Sequence, residues 1–272
     1  MRTFSVFGTT LHDVLREELF ARLLHVRGLG GTPNPEILLA ARSNVLYRDL
    51  LNRAELALPD GIATVFAVAA LYDAHGLHRH PGVDVVPMIA SAAEKKGESL
   101  IVFGGYAEDH QQLCVTFSKT HPSLNVLCID PGVISERTPE VSREHARRIQ
   151  EVGPAIVIVA LGQGRGQAQG KQEIVARTIL EAAPCVRFAI GVGGAIDVLS
   201  GRMHRAPQYM QRFGFEWAWR FLMNPWRFSR MFRAIVVFPI LIAWDTLQQG
   251  RFLRACRAVF KILVVHFFSK SV

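Results

Sequence analysis

Residues 155–161 read Ala-Ile-Val-Ile-Val-Ala-Leu (AIVIVAL), an apolar and largely β-branched run with no polar residue on either face. A strand that is apolar on both faces is typical of a parallel sheet covered by helices on both sides, because both of its faces must be buried. Similar short runs are SLIVF at 99–103, LNVLCI at 124–129 and VRFAIGV at 186–192. The chain is therefore predicted to contain a mainly parallel sheet.

The segments between these strands have apolar residues at helical spacing. They predict helices at 11–25, 35–53, 61–75, 84–96, 108–120, 138–152 and 171–183. Alternating strands and helices predict a Rossmann-like α/β domain over residues 1–201, with helices on both faces of the sheet. Ligands of such folds bind beyond the carboxyl ends of the strands. The turns that would line this crevice are Pro59-Asp60-Gly61, Gly104-Gly105, Gly162-Gln163-Gly164 and Gly193-Gly194.

Bulk composition narrows the class of protein. With 272 residues, of which 50% are hydrophobic and 20% charged, the chain can bury a large core, which argues against disorder. The four cysteines form no Cys-x-x-Cys pair, and the first twenty residues lack the apolar run of a signal peptide. We therefore expect a reducing, cytoplasmic compartment.

The net charge of +8 is concentrated in one part of the chain. Residues 1–201 contain 19 Lys/Arg and 21 Asp/Glu, whereas residues 202–272 contain 12 Lys/Arg and 2 Asp/Glu. Such an asymmetry indicates an anionic partner for the C-terminal region, which can be lipid headgroups, nucleic acid or a phosphorylated substrate.

The C-terminal region, residues 202–272, is predicted to be a helical appendage with two segments separated at Gly250. Asn224-Pro225 is a typical helix start. The apolar run 234–244 (AIVVFPILIAW) is too short to cross a bilayer, which needs roughly 20 residues. In the second segment a basic face (Arg251, Arg254, Arg257, Lys261) lies opposite an apolar one (Phe252, Cys256, Val259, Phe260, Leu263, Phe267). This pattern fits a helix in the headgroup region of a membrane, and also a helix packed on the core with its cations in water. The neighbouring apolar run and the charge excess together favour the membrane.

Several familiar motifs are absent or incomplete. GQGRGQAQGKQE at 162–173 is not a phosphate loop, because Gly170 follows Gly164 by six positions instead of five and Gln172 replaces the Ser or Thr. Neither this turn nor Gly191-Val-Gly193 has the full dinucleotide fingerprint. His75, His78 and His80 lie close in sequence but have no nearby carboxylate or cysteine pattern, so a solvated loop is preferred to a metal site. The chain has no Asp-x-Asp pair to hold a metal on a donor diphosphate.

Two polar turns carry the candidate chemistry. Asp60 precedes Gly61 and a predicted helix, so its carboxylate can accept a proton over the crevice or cap the helix. Thr32-Pro-Asn34-Pro35 also leads into a helix, and its hydroxyl and amide can bind a substrate or serve as the cap. Each turn alone leaves both interpretations open.

Taken in order, several fragments resemble the WecG/TagA/CpsF family of bacterial glycosyltransferases. They are Thr32-Pro-Asn34-Pro-Glu36, ALPDGIATVFA around Asp60, Pro81-Gly-Val-Asp84, VFGG at 102–105, Lys171-Gln172-Glu173, GVGGAIDVLSG at 191–201, and RAPQYMQRFGFEWAWRF at 205–221 with the following NPWRFSR. The resemblance runs from about residue 30 to about residue 233.

The resemblance implies inverting, metal-independent transfer of a sugar from a UDP-sugar donor to a polyprenyl-diphosphate-linked acceptor on the cytoplasmic membrane face, in surface polysaccharide synthesis. It implies that Asp60 is the catalytic base. It implies substrate-binding roles for Thr32, Asn34, Asp84, Gln172, Arg220, Arg227 and Arg230. It implies no cofactor, no metal and no nucleic acid. The predicted partners are thus the UDP-sugar, the lipid-linked acceptor and, through the appendage, the membrane surface; the sequence does not determine whether the protein is a homo-oligomer.

Two departures from the family pattern concern the site. The family's Gly-x-Pro-Lys-Gln-Glu turn is lengthened here, with Gly170 in place of the proline, and its Asp-Gly-Tyr is replaced by Asp130-Pro131-Gly132-Val133. The favoured sugar is N-acetylmannosamine or its uronic acid, and the alternative within the class is a plain hexose such as glucose. From other classes, a nucleotide-binding oxidoreductase or a non-enzymatic membrane adaptor remain alternatives.

Overall fold

The fold is built around a six-stranded parallel sheet. The computed structural model describes residues 1–74, 76–132, 134, 143–161, 170–212, 214–223 and 231–268. Its strands are β1 (Arg2–Val6), β2 (Thr9–Asp13), β3 (Gly28–Gly31), β4 (Leu56–Ala57), β5 (Ser99–Gly104), β6 (Val126–Ile129), β7 (Ala155–Ala160) and β8 (Val186–Gly191). The sheet has the order β4-β3-β8-β7-β5-β6, with every neighbouring pair parallel. Strands β1 and β2 form a separate antiparallel hairpin.

Helices cover both faces of this sheet. They are α1 (Arg16–Leu23), α2 (Pro35–Ser43), α3 (Val45–Asn52), α4 (Ile62–Tyr72), α5 (Gly82–Lys96), α6 (His110–Thr120), α7 (Arg143–Glu151), α8 (Lys171–Ala182), α9 (Ala195–Leu199), α10 (Gln208–Arg212), α11 (Glu216–Met223), α12 (Phe238–Gln248) and α13 (Phe252–Phe268). A 3-10 turn (Ala107–Asp109) precedes α6, and a π-helical turn (Arg233–Val237) leads into α12.

The central strand β7 divides the core into two layers. Its Ile156 and Ile158 pack with residues of α1, α5 and α6, whereas Val157 and Val159 pack with residues of α7 and α8. Alternate side chains of one strand therefore enter opposite layers, as the uninterrupted apolar run 155–161 predicts. The predicted Rossmann-like α/β class, with a parallel sheet covered on both faces, is confirmed.

Two of the predicted helices are wrong in detail. The helix predicted over 11–25 begins only at Arg16, because residues 9–13 pair as β2 with β1. The helix predicted over 35–53 is two helices, since Asn44 has extended dihedral angles and its side chain accepts a hydrogen bond from Tyr47 N at 3.0 Å. Asn44 thereby ends α2 and caps α3. The first part of the predicted helix 138–152 lies outside the described residues.

The appendage helices α12 and α13 pack against α4, and the two helices meet at Gly250, which has a φ of +65°. Phe238 and Ile242 of α12 are buried together with Val65 and Val68 of α4. The break at Gly250 agrees with the sequence, while the start predicted at Asn224-Pro225 lies outside the described residues. Within the described ranges, no helix combines the length and hydropathy that a bilayer span requires.

Candidate active site

Three neighbouring strands of the sheet end at one cavity of about 210 Å³. Thr32 and Asn34 follow β3, Asp60 follows β4, and Gly193 and Gly194 follow β8, and all five residues line this cavity. The strand order places β4, β3 and β8 side by side, so their carboxyl ends bring together residues that are far apart in the chain. The cavity lies where parallel α/β folds bind their ligands.

The β3 turn presents a hydroxyl and an amide to this cavity. Thr32 is 5% exposed, and its Oγ1 donates a hydrogen bond of 3.3 Å to the carbonyl oxygen of Gly191 on β8. The side-chain oxygen of Asn34 accepts a hydrogen bond of 3.1 Å from Ile37 N and so caps α2. Asn34 therefore serves as the cap and also lines the cavity, while its predicted contact with substrate stays a prediction.

Asp60 lies at the cavity wall, one residue before the N-cap of α4. That N-cap is Gly61, with a φ of +81°. The main chain of Asp60 is fixed on both sides: its N–H donates to Pro33 O at 2.9 Å and its carbonyl accepts from Thr64 Oγ1 at 2.8 Å. Asp60 is thus a half-buried carboxylate on a fixed backbone at the cavity, and its role as a general base stays a prediction.

Gln172 lies behind the cavity wall. It is fully buried in the first turn of α8, and its Oε1 accepts a hydrogen bond of 3.1 Å from Gly193 N. Its Nε2 is buried and has no acceptor among the residues that the structure describes. Gly170, the residue before α8, has a φ of +86°, which proline cannot adopt. The substitution of the family's proline by glycine thus accompanies a different backbone at this turn.

Asp84 belongs to a chain of ion pairs beside the cavity. Both of its oxygens accept hydrogen bonds from Arg205, at 2.7 and 2.8 Å. Arg205 Nε lies 3.7 Å from Glu216 Oε1, and Glu216 Oε2 accepts a hydrogen bond of 3.2 Å from Arg79. Although burial lowers the pKa of Arg205, the carboxylates of Asp84 and Glu216 outweigh it and raise that pKa above its usual value. Asp84 is absent from the cavity lining, so its predicted contact with substrate stays a prediction.

The cavity also has lining residues that the sequence reasoning missed. Arg79 and Glu216 contribute charged side chains, and Trp217, Ala234 and Ile235 come from the appendage. Trp217 lies within the RFGFEWAWRF fragment, which is the signal that points to it. Arg227 and Arg230 lie outside the described residues, as does the side chain of Arg220, and their predicted roles stay predictions.

The histidines after α4 stabilise the hairpin. The N–H of His78 donates to Asp13 Oδ1 at 2.9 Å, and the ring of His80 bonds to Val14 O at 2.7 Å. Burial lowers the pKa of His80, so its ring is neutral near pH 7. In the described part of the chain, no three His, Cys, Asp or Glu side chains converge as a metal site would require, and His75 lies outside that part.

These observations define a Rossmann-like α/β protein with a ligand cavity beyond the carboxyl ends of its strands, lined by a carboxylate, a hydroxyl and an amide. Residues 4–252 match the sequence profile of the Glycosyl transferase WecG/TagA/CpsF family. The chain belongs to this family and is a glycosyltransferase.

A curated relative from Bacillus subtilis (strain 168) is 32% identical over 200 residues, which are 74% of this chain and 73% of the relative. That protein is an N-acetylglucosaminyldiphosphoundecaprenol N-acetyl-beta-D-mannosaminyltransferase. Family membership confirms the resemblance found in the sequence. It favours a glycosyltransferase over the oxidoreductase and the membrane adaptor.

Proposed function

We propose that the protein transfers N-acetylmannosamine or its uronic acid from a UDP-sugar to an undecaprenyl-diphosphate-linked sugar, with inversion at the anomeric carbon and without a metal. The observation that carries this proposal is the meeting of Thr32, Asn34 and Asp60 at one cavity. The name of the Bacillus relative, which states both an N-acetylmannosaminyl group and a diphosphoundecaprenol acceptor, supports the choice of sugar and lipid.

Asp60 is the general base in this proposal. Inverting transfer needs one carboxylate that takes the proton of the acceptor hydroxyl while this hydroxyl attacks the anomeric carbon. In the proposal, Thr32 Oγ1 and the amide of Asn34, which follow the neighbouring strand, orient the sugar. The departing UDP takes the bonding electron pair, so positive charge must stabilise its diphosphate.

Arginine supplies that positive charge in the proposed mechanism. The chain has no Asp-x-Asp pair, and guanidinium groups pair well with phosphate oxygens. Arg79 lines the cavity, and Arg220, Arg227 and Arg230 belong to the appendage segments next to Trp217 and Met231, which also line it. The appendage thus completes the catalytic centre in this proposal.

We further propose that the appendage holds the enzyme on the cytoplasmic face of the cell membrane. An exposed apolar stripe (Phe232, Val236, Ile240, Trp244 and Leu247) runs along the π-helical turn and α12 at helical spacing. On α13 the exposed Leu253 and Phe260 lie beside the exposed cations Arg254, Arg257 and Lys261. Apolar side chains flanked by cations fit the interface of an anionic lipid bilayer.

The test of the catalytic role replaces Asp60 by Asn and, separately, Glu36 by Gln. Both carboxylates line the cavity, so the second substitution is a matched control. Asp60→Asn is expected to lower kcat by at least about a hundredfold with donor affinity retained, because general bases contribute roughly 10²–10⁴-fold. Near-normal turnover of Asp60→Asn, or a selective loss in Glu36→Gln, would contradict the assignment.

The donor is tested with a panel of UDP-sugars and a lipid-linked acceptor. UDP-N-acetylmannosamine and its uronic acid are expected to be the best donors, with the product glycoside inverted. UDP-glucose as the best donor would favour the plain-hexose alternative and leave the glycosyltransferase class unchanged.

A further inference from the structure

A second, larger cavity lies between α4, α12 and α13 and has a volume of about 420 Å³. On α4 it is lined by Ala63, Phe66, Ala67 and Ala70, which follow the spacing of one helix face. The three alanines leave room that larger side chains would fill. We call this cavity the apolar groove.

The walls contributed by α12 and α13 are also apolar. Ile242 and Ala243 face the groove from α12, and Cys256 and Val259 face it from α13. Thr246 supplies the single hydroxyl among the described lining residues, and its Oγ1 donates to Ala243 O at 2.8 Å. The lining therefore selects a hydrocarbon ligand, because a polar group entering it would lose its hydrogen bonds to water.

The apolar groove adjoins the catalytic cavity. Ala63 lines both, and it lies three residues after Asp60, in the first turn of α4. The opposite wall is shared as well: Ala234 and Ile235 face the catalytic cavity, and Phe238 of the same helical segment faces the groove. A molecule with a polar head at Asp60 can thus extend an apolar tail directly into the groove.

We propose that the apolar groove binds the first isoprenoid units of the lipid-linked acceptor, next to its diphosphate. This inference rests on the proposed function, since a polyprenyl-diphosphate-linked sugar joins a polar head to a branched hydrocarbon chain. The groove has the volume of a small-ligand pocket and therefore holds only a proximal segment of a long chain. The remainder of the chain would stay in the bilayer beside the exposed apolar stripe.

An isoprenoid is favoured over a phospholipid acyl chain because the groove shares the lining residue Ala63 with the catalytic cavity. A bulk phospholipid has no group that belongs in the catalytic cavity, whereas the acceptor must place its sugar within reach of Asp60. The groove thereby gives the enzyme a means to recognise the lipid part of its acceptor. The KM for the acceptor then depends on the structure of the acceptor's lipid chain.

The native thiol of Cys256 provides a direct measurement of binding. Cys256 is exposed and lines the groove, whereas burial and the nearby Cys114 raise the pKa of Cys128 to about 12, so Cys128 reacts slowly. The full-length protein is treated with N-ethylmaleimide, and labelling of each cysteine is followed by mass spectrometry. At a concentration of about nine times its Kd, farnesyl diphosphate is expected to slow the labelling of Cys256 by about tenfold, because only about one tenth of the grooves are then empty.

Inorganic diphosphate and a short-chain phosphatidylglycerol, kept below its micelle concentration so that no bilayer covers α13, are the controls for the labelling. Neither is expected to protect Cys256 as farnesyl diphosphate does. Equal protection by the phosphatidylglycerol would assign the groove to acyl chains, and no protection by farnesyl diphosphate would show that the groove binds no prenyl ligand; either result overturns the proposal.

The kinetic test fills the groove by Ala70→Phe or Ala243→Phe, with Ala182→Phe on the exposed end of α8 as the matched control. Each filling variant is assayed with a polyprenyl-linked acceptor and with an acceptor whose lipid is a short alkyl chain. We expect KM for the polyprenyl acceptor to rise about tenfold, which corresponds to about 1.4 kcal/mol. KM for the short-chain acceptor and for the donor should not change.

The two proposals fail in different ways. An equal effect of the filling variants on both acceptors, or no effect on either, would overturn the groove proposal while the wild-type enzyme still transfers sugar. Absence of transfer to any lipid-linked acceptor by the wild-type enzyme would overturn the proposed function, and the Cys256 labelling would then still report whether the groove binds an isoprenoid.

Discussion

At the scale of single residues, Asn34 combines a capping role with a position in the cavity wall. Its side-chain oxygen caps α2, and in the proposed function its amide nitrogen contacts the sugar. The two roles use different atoms, so two substitutions can separate them.

Asn34→Asp keeps an oxygen acceptor for Ile37 N but removes the amide N–H, whereas Asn34→Ala removes both. Alanine is expected to lower the free energy of unfolding by about 1 kcal/mol, and aspartate to leave it nearly unchanged. If the amide donates to the substrate, both variants lower kcat/KM by about tenfold. Denaturant unfolding and steady-state kinetics check this; an aspartate variant with full activity would restrict Asn34 to capping.

The sequence predicts the residues at strand ends better than those held by long-range contacts. Asp60 can be placed at the crevice because it lies in a turn between a short apolar run and a helix. Thr32 and Asn34 follow β3, which the local pattern does not reveal, so the family resemblance is what points to them. No such local pattern reveals Arg79 as a lining residue. Asp84 is bound by an arginine 121 positions later, and nothing near it in sequence signals that its carboxylate is already paired.

At the scale of elements, β3 shows why part of the sheet escapes prediction. Its sequence, Gly28-Leu-Gly-Gly31, has little β-propensity, yet it pairs with both β4 and β8. Glycine is required at position 30 because of the neighbouring strand β8: a Cβ on Gly30 would lie 2.4 Å from Cζ of Phe188. Tertiary packing, which the local pattern does not contain, selects glycine at this position.

The adjacent glycines Gly30 and Gly31 therefore differ in their tolerance of alanine. Gly30→Ala is expected to destabilise the protein by about 1–3 kcal/mol, because the ring of Phe188 is fully buried and must move. Gly31→Ala is the matched control, since its nearest neighbour would be 3.9 Å away. Thermal unfolding of the two variants measures the difference, and equal stabilities would contradict the packing argument.

The segment between α9 and α11 is positioned by ion pairs. Arg205 joins Asp84 of α5 to Glu216, the first residue of α11, and the neighbouring residue Trp217 lines the cavity. Displacing α11 would therefore change the cavity wall without changing any strand-end residue.

Arg205→Gln is expected to lower kcat/KM by about tenfold or more through this displacement, since small misplacements of a site are costly. Arg202→Gln is the control, because Arg202 pairs with Glu108 and Asp109 on the surface and does not line the cavity. Faster hydrogen exchange in residues 206–216 of Arg205→Gln alone would support the argument. Unchanged exchange and activity would show that Asp84 and Glu216 do not depend on this arginine.

At the scale of the whole molecule, residues of the appendage and of the strand ends line one cavity. The family profile extends to residue 252, the appendage contributes Trp217 and Ile235 to the catalytic cavity, and α12 shares a buried cluster with α4 and the β1–β2 hairpin. Charge and hydropathy alone predict an appendage with its own anionic partner. They do not predict that one face of it packs on α4, because the apolar face of an amphipathic helix looks the same whether protein or lipid covers it.

The two faces of α12 can be distinguished by membrane binding. Ile240 and Trp244 are 60% and 54% exposed and point away from the core, so replacing both by Asp should leave folding intact. Burial of a large apolar side chain contributes about 1.5–3 kcal/mol, and partitioning onto phosphatidylglycerol vesicles should therefore weaken by at least about tenfold. Leu46→Asp is the control, because Leu46 on α3 is 82% exposed and outside the appendage.

Vesicle sedimentation at low and high salt also separates two contributions to membrane binding. Salt should screen the contribution of Arg254, Arg257 and Lys261, and it should not weaken the contribution of the apolar stripe. Equal losses in Leu46→Asp and in the double variant would mean that no particular face of the molecule docks on the membrane.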